Sequence, residues 1–355
     1  MKTLATITTQ FAVFVVLIVL AGTNTRADPS RPASPGAYII AGVPWHEQAN
    51  GLFCGDGTLA SVFDYWGPAI EQKAVANVAR SSSSGTWLQD IVRSGHFSYM
   101  SAAQGSFFPH DIPNAGFPER PLGYAAFSYW ARTSWLDQVK ALVARDIPVV
   151  VLVNFAPEGG GGHYRLVIGY DDAQEIVYLI DPWGRDQNHA TSWTGVVAWS
   201  YGDFEQSWNY MSEGTDHPYR GAVIVPWKVA LSVSGATSVG STVRVTADIA
   251  YPCPMPFDCT RYPASDATAQ IALPAGLTLV RAPATVSLGN MAAGRSTRVT
   301  WDVRVDEPAA GKTIDVSASG VVSGSVGAAY WAGDNVAYPP YDYTDRIGGT
   351  GTLRL

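Results

Sequence analysis

Charge is scarce in this sequence of 355 residues, because Asp, Glu, Lys and Arg together make up only 15% of it. Acidic side chains outnumber basic ones, and the formal net charge is −7. Proteins that bind nucleic acids present a basic patch or stripe, so we expect no nucleic acid among the partners. The histidines and cysteines do not follow metal-ligand spacings either, and we expect no metal and no cofactor.

Long apolar runs are also missing. The longest, Phe11–Ala21, has about eleven residues, whereas a membrane-spanning helix needs about 20. It follows Lys2 and precedes Thr25-Arg26-Ala27, which is typical of a secretory signal peptide. We therefore predict a signal peptide over residues 1–27, a Pro/Ser-rich linker over residues 28–36, and a mature protein that is secreted rather than anchored in a membrane.

The sequence pattern changes once after the linker. Residues 37–226 combine helical patterns with later strand patterns, which is typical of an α+β domain. Residues 227–355 alternate apolar and polar side chains with a period of two, as in Val243–Ile249 and Ser296–Val305. This alternation, with frequent turn residues, predicts an all-β immunoglobulin-like sandwich. The expected boundary lies near Pro226.

Cysteine is rare, with three residues in the whole chain. Cys253 and Cys259 lie close together with Pro254 and Pro256 between them, so we predict that they form a local disulfide. Cys54 is then the odd thiol of an exported protein. Such a thiol indicates either a reactive group or a cross-link to another chain.

Cys54 lies at the predicted start of a helix. The apolar residues that follow it fall on one helical face: Leu59, Val62, Phe63 and Trp66. The positive end of a helix dipole favours a thiolate, so the position suits a nucleophile. The alternative is a small buried side chain without chemistry.

A cysteine nucleophile needs a base, and the base needs an orienting group. His163 begins a predicted strand after four glycines, which fit either a linker or a flap over the site. A turn at residues 171–174 connects this strand to another that ends at Asp181-Pro182. The predicted hairpin puts His163 opposite Pro182, with Asp181 one step away, and so brings an imidazole and a carboxylate together.

Several segments together carry a resemblance to a known family: Val43–Gln48, Cys54-Gly55, Gly162–Tyr164, Val167–Tyr170 and Ile180–Pro182. Their order and spacing resemble those of the bacteriocin-leader-peptidase-like cysteine peptidases, a branch of the papain-like fold. The resemblance covers about residues 38–226 and implies a papain-like fold there. It also implies four roles, namely nucleophile for Cys54, general base and acid for His163, orienting group for Asp181 and oxyanion-hole donor for Gln48.

Two residues depart from the family pattern. Asp56 stands where proline is common, and a carboxylate there disfavours a nearby thiolate. Arg165 shares the strand face of His163, where an apolar residue is usual. We expect Arg165 to pair with Asp56 or Glu47, which would restore the charge balance. Asn188 is the next candidate for the orienting group after Asp181.

The predicted function is that of a secreted cysteine peptidase, which hydrolyses peptide bonds through a Cys-His-Asp triad and a thioester acyl-enzyme. Its substrate would be a protein or a cell-wall peptide, and the β-sandwich would bind a surface or a polymer. Two alternatives remain open. One is a secreted binding or adhesion protein with an inactive papain-like domain, which Asp56 and Arg165 favour; the other is a peptidoglycan amidase or acyltransferase.

Overall fold

The computed structural model describes residues 36–82, 85–98, 101, 120–184, 195–211, 217–331 and 336–355. The helices in these ranges are α1 (Cys54–Trp66), α2 (Gln72–Val78), α3 (Leu88–His96), α4 (Leu136–Val143) and α5 (Tyr201–Trp208). The first seven strands are β1 (Ala37–Ile39), β2 (Ala125–Tyr129), β3 (Val149–Ala156), β4 (Gly159–Asp171), β5 (Ile176–Ile180), β6 (Val196–Ser200) and β7 (Arg220–Val225). The strands after Pro226 are β8 (Lys228–Ser234), β9 (Thr242–Ala250), β10 (Ala264–Ala272), β11 (Leu277–Leu279), β12 (Thr285–Met291), β13 (Ser296–Val305), β14 (Thr313–Val326), β15 (Ala329–Trp331), β16 (Val336–Tyr338) and β17 (Tyr341–Arg354).

The part of the chain before Pro226, here called the N-terminal lobe, is built on one antiparallel sheet. Its strands run in the order β2-β7-β3-β4-β5-β6, and β1 adds to β4. Helix α1 packs against β4 and buries its apolar face, which includes Leu59, Val62 and Phe63. Helices and an antiparallel sheet therefore share one core, in agreement with the predicted α+β arrangement.

The part after Pro226, here called the β lobe, contains two four-stranded antiparallel sheets with the orders β12-β10-β14-β17 and β11-β13-β9-β8. Buried and exposed residues alternate along β9 and β13, because successive side chains of a strand point to opposite faces. The predicted all-β character of this part is thus confirmed.

The two lobes pack against each other through buried aromatic rings and form one compact unit. Phe257, which is only 2% exposed, lies in the loop closed by the Cys253–Cys259 disulfide. Its ring lies 6.3 Å from that of Tyr129 and 6.1 Å from that of Trp135 in the N-terminal lobe. The disulfide loop therefore carries an anchor between the lobes.

Charged groups are buried at the same interface. Arg93 of α3 forms an ion pair with Asp345 of β17, and both side chains are almost fully buried. Nearby, His96 of α3 lies 2.8 Å from the hydroxyl of Tyr343. Burial lowers the pKa of His96 to about 3, so this imidazole is neutral and structural.

The hairpin that carries His163 differs in register from the prediction. Leu166 lies opposite Ile180 and Asp171 opposite Ile176, with an irregularity between Val167 and Gly169. Extended to His163, this register places the residue after Pro182 opposite it, so the predicted pairing is wrong by one residue. The four glycines begin β4 and pair with β3, with Gly162 opposite Asn154, so they belong to a β-hairpin and not to a linker.

The predicted signal peptide and all but the last residue of the predicted linker lie outside the described residues. Within the described part of the chain, no helix combines the length and the apolar character needed to cross a membrane.

Candidate active site

Cys54 is the first residue of α1 and the free thiol of the chain, because Cys253 and Cys259 form a disulfide. Its side chain is partly exposed. The preceding residue, Phe53, provides no side-chain cap for the helix, and the backbone N–H of Asp56 in the first turn bonds to the carboxyl group of the same residue. The thiol therefore combines solvent access with the positive end of the helix dipole.

His163 lies beside Cys54 and is buried. Its Nε2 atom is 2.7 Å from Oδ1 of Asp181, and the ring also forms a hydrogen bond with Cys54. Burial alone would lower the pKa of His163, but the charge of Asp181 and both hydrogen bonds more than offset it, and the pKa lies above its ordinary value. The arrangement thus favours a protonated imidazole next to the thiol.

Asp181 is fully buried at the end of β5 and accepts hydrogen bonds on both oxygens. Oδ1 accepts from His163 and from the backbone N–H of Trp183 at 2.9 Å, and Oδ2 accepts from Arg165 at 2.9 Å. Burial would raise the pKa of Asp181, but His163 and Arg165 hold it below its ordinary value. The carboxylate is therefore ionised and fixed in orientation.

The predicted partner of Arg165 is wrong. Arg165 pairs with Asp181 at 2.8 Å, not with Asp56 or Glu47. It also donates to the backbone oxygen of Phe155 at 2.9 Å, and its guanidinium lies 4.2 Å from the centroid of the Trp199 ring. His163 and Arg165 are two residues apart in β4 and so share one face of the sheet. This spacing was the signal that could have linked Arg165 to the carboxylate.

Asp56, the second departure from the family pattern, is fully buried and accepts a hydrogen bond from the Ser81 hydroxyl at 2.9 Å. Burial raises the pKa of Asp56 to about 8, and the Ser81 hydrogen bond offsets only part of this effect. At pH 7 the group is a neutral acid. It therefore adds no negative charge beside the thiol, contrary to the expectation from its residue type.

Gln48 lies next to the first turn of α1. Its backbone N–H donates to the Pro182 oxygen at 2.7 Å, and its Nε2 donates to the Asn50 oxygen at 2.6 Å. A Cβ atom on Gly57 would come within 3.4 Å of Gln48 and 2.9 Å of Pro182. Glycine at position 57 thus allows the Gln48 segment and the end of the Asp181 segment to approach α1 closely.

The remaining described histidines lie apart from Cys54. His46 pairs with Asp64 at 2.8 Å near the surface, His96 is at the lobe interface, and His217 stacks on Trp130 with ring centroids 3.6 Å apart. Asn188, the alternative orienting residue, lies outside the described residues. Among the residues that the structure describes, no group of three His, Cys, Asp or Glu side chains could hold a metal ion.

The residues of this site lie in a segment of the chain that matches a known protein family. Residues 40–215 match the family model described as the Peptidase_C39 like family. Xylellain, a cysteine protease from Xylella fastidiosa, is a similar solved structure, with a TM-score of 0.41 and 15% identity over 54% of this chain and 87% of that chain. The peptidase domain of Streptococcus ComA, a bi-functional ABC transporter, has a TM-score of 0.32 and 13% identity over 52% of this chain and 99% of that chain. A search of curated proteins finds no match.

Proposed function

The chain belongs to the Peptidase_C39 like family and is a cysteine peptidase, and we propose that it cleaves peptide bonds with a triad of Cys54, His163 and Asp181. Two connected hydrogen bonds carry this proposal. Cys54 forms a hydrogen bond with His163, and His163 forms one with Asp181 at 2.7 Å. A nucleophile, a base and a group that orients the base are the diagnostic arrangement for nucleophilic catalysis.

In the first half of the reaction, Cys54 gives its thiol proton to His163, and its sulfur attacks the carbonyl carbon of the scissile peptide and forms a C–S bond. The carbonyl electrons move to the oxygen, and the bond to nitrogen then breaks while His163 gives its proton to the leaving amine. Since Asp181 holds Nε2, the Nδ1 atom is the ring nitrogen that exchanges this proton. The product is a thioester on Cys54.

In the second half, a water molecule attacks the thioester carbonyl and gives a proton to His163. The C–S bond breaks, His163 returns the proton to the Cys54 sulfur, and the carboxylic acid product is released. The proposed oxyanion hole consists of the backbone N–H of Cys54 and the side-chain amide of Gln48. Both N–H groups would donate to the carbonyl oxygen that becomes negatively charged in the transition state. Donors held in place in this way stabilise the developing charge.

The two sequence features that favoured an inactive domain have other partners in this geometry. Arg165 pairs with Oδ2 of Asp181, whereas His163 contacts Oδ1, and Arg165 thereby supports the orienting group. Asp56 is a neutral acid at pH 7 because burial raises its pKa to about 8. An active peptidase is therefore the reading that we propose.

The wider setting of the enzyme remains part of the proposal. We propose that residues 1–27 direct export, that residues 37–226 form the peptidase domain, and that its substrate is a protein or a cell-wall peptide. The β lobe would be an immunoglobulin-like sandwich with a binding role toward a surface or polymer. Its two four-stranded antiparallel sheets support this assignment.

A series of variants assayed on any peptide that the wild type cleaves tests the triad. Cys54→Ala should abolish hydrolysis, and His163→Ala should be nearly as severe because the leaving amine loses its acid. Asp181→Asn should retain residual activity, and Gln48→Ala should lower kcat about 100-fold.

The surface pair of His46 and Asp64 provides a matched control, since its two side chains are 2.8 Å apart but lie away from Cys54. Asp64→Asn should leave kcat unchanged. Full activity in Cys54→Ala would overturn the proposed function. Full activity in Asp181→Asn alone would reassign only the orienting residue.

A further inference from the structure

Ser81 and Thr86, which lie in the connection between α2 and α3, contact the first turn of α1. Ser81 of this connection donates to Asp56 at 2.9 Å, and its hydroxyl lies 2.7 Å from that of Thr86. A Cβ atom added to Gly55 would come within 2.8 Å of the Thr86 side chain. Two residues of the connection thus contact the two positions that directly follow Cys54.

Arg80, the neighbour of Ser81, links the same connection to the β lobe. Its guanidinium makes a bidentate ion pair with Asp90, with distances of 2.8 and 3.0 Å. It also donates to the backbone oxygens of Gly327 at 3.1 Å and Pro339 at 3.3 Å, which flank the β15–β16 hairpin. Arg80 is fully buried, so these carbonyls provide acceptors that water cannot replace.

The backbone of Arg80 has a positive φ of 49°. Residues other than glycine pay about 1 to 2 kcal/mol for this left-handed conformation. Such a conformation persists where surrounding contacts fix it, and here the contacts come from Asp90 and from the two β-lobe carbonyls. The direction in which the chain leaves Arg80 toward Ser81 therefore depends on the β lobe.

We propose that Arg80, Ser81 and Asp56 form a positioning chain through which the β lobe holds the first turn of α1, and with it the Cys54 thiol, in the geometry for attack. This inference rests on the proposed role of Cys54. It gives the β lobe a part in turnover, in addition to any binding role. None of the three residues touches the reacting atoms, so they act as positioning residues.

The physical reason for an effect on rate is the small tolerance of the attack geometry, since a misplacement of about 1 Å can cost about 100-fold in rate. The Ser81 hydroxyl and the Asp56 acid are both fully buried. When one of them is lost, water cannot restore the contact. The first turn of α1 should then sample more orientations, and the orientation in which His163 meets the thiol becomes less populated.

Ser81→Ala tests the chain without disturbing charge. We expect kcat to fall about tenfold with KM unchanged, and the alkylation of Cys54 by iodoacetamide at pH 6 to slow by a similar factor. Ser94 provides the matched control, because it is equally buried but its hydroxyl has no hydrogen-bond partner. Ser94→Ala should keep both rates.

Two variants of Asp56 separate positioning from simple loss of stability. Asp56→Asn keeps an acceptor oxygen for Ser81 and should retain kcat within about twofold. Asp56→Leu removes the acceptor, keeps the number and branching of the heavy atoms, and should resemble Ser81→Ala. The double variant of Ser81→Ala with Asp56→Leu should be no slower than either single one, because both remove the same contact.

Arg80→Lys tests the link to the β lobe, since lysine keeps the charge but lacks the fork that reaches Asp90 and both carbonyls. It should lower kcat and the alkylation rate at least as much as Ser81→Ala. Arg298→Lys is the control, because Arg298 is an exposed arginine of the β lobe that pairs with Asp248 at 2.7 Å. It should have no effect.

Wild-type kcat and alkylation rate in Ser81→Ala would overturn the positioning chain, whether or not Arg80→Lys folds. Wild-type values in a folded Arg80→Lys would remove the β lobe from it. Failure of the proposed function is recognised separately, as hydrolysis that survives Cys54→Ala. The alkylation rates still test the chain in that case, since they report on the thiol and not on the peptide.

Discussion

Asp56 offers a quantitative test of the electrostatics next to the nucleophile. Burial raises its pKa from 3.8 to about 8, so at pH 7 the folded chain holds the acid whereas the unfolded chain holds the carboxylate. The unfolded state then binds fewer protons, and stability must fall as the pH rises from about 4 to about 8. Each pH unit in this interval removes about 1.4 kcal/mol.

Asp56→Asn removes this titration and keeps the oxygen that accepts from Ser81. Between pH 4 and pH 7, the free energy of unfolding of the variant relative to the wild type should improve by about 4 kcal/mol. Urea unfolding at pH 4, 5.5 and 7 measures the difference. The advantage of the variant should grow steadily with pH and level off above pH 8.

Asp137→Asn is the control for this experiment, because the Asp137 side chain is 89% exposed and pairs only with Lys140 on its own helix. Exposed pairs of this kind contribute about 0 to 1 kcal/mol, so the stability difference should hardly change with pH. If Asp56→Asn and the wild type showed parallel pH dependences, Asp56 would not be a neutral buried acid, and our explanation of its tolerance beside Cys54 would be wrong.

Three further predictions concern the base, the lobe interface and the thiols. Asp181→Asn should shift the alkaline limb of kcat/KM to lower pH, because burial lowers the pKa of His163 and the Asp181 charge is the main effect that offsets it; an unmoved limb would contradict this. Phe257→Ala should cost about 3 to 5 kcal/mol of unfolding free energy, while Met255→Ala in the same loop, where Met255 is 66% exposed, should cost little; equal effects would refute the anchor. Alkylation without reductant should modify one thiol per chain, at Cys54, and three modified thiols would refute the disulfide.

The sequence carried enough information to bring His163 and Asp181 together, because a hairpin is a local structure whose turn lies within the segment. The turn was predicted one residue too early, since Asp171 lies opposite Ile176, and the irregularity between Val167 and Gly169 then reduces the register error from two residues to one. The imidazole and the carboxylate still meet, because Asp181 lies two residues before the position opposite His163 and such diagonal neighbours share one face of the sheet.

The charge states of the site could not be read from the sequence. From its residue type, Asp56 is expected to be an ionised carboxylate. In the structure it is a neutral acid, because burial raises its pKa to about 8. Arg165 was recognised as unusual but was assigned to Asp56 or Glu47, although the strand face that it shares with His163 pointed to Asp181.

The contacts between the lobes could not be predicted from the sequence either. Arg80 and Gly327 are 247 residues apart, and no local pattern predicts that a backbone oxygen will accept from a buried guanidinium. Periodicity identified the β lobe as an all-β region because alternation is local. It did not indicate which residues of the other lobe the β lobe would touch.

The rate of alkylation of Cys54 by iodoacetamide as a function of pH tests whether His163 activates Cys54 as a nucleophile. We expect rapid modification of Cys54 in the wild type near pH 6, located by peptide mapping, and a large loss of rate at this pH in His163→Ala. Alkylation of the wild type only above pH 8, at the same rate as in His163→Ala, would contradict this activation.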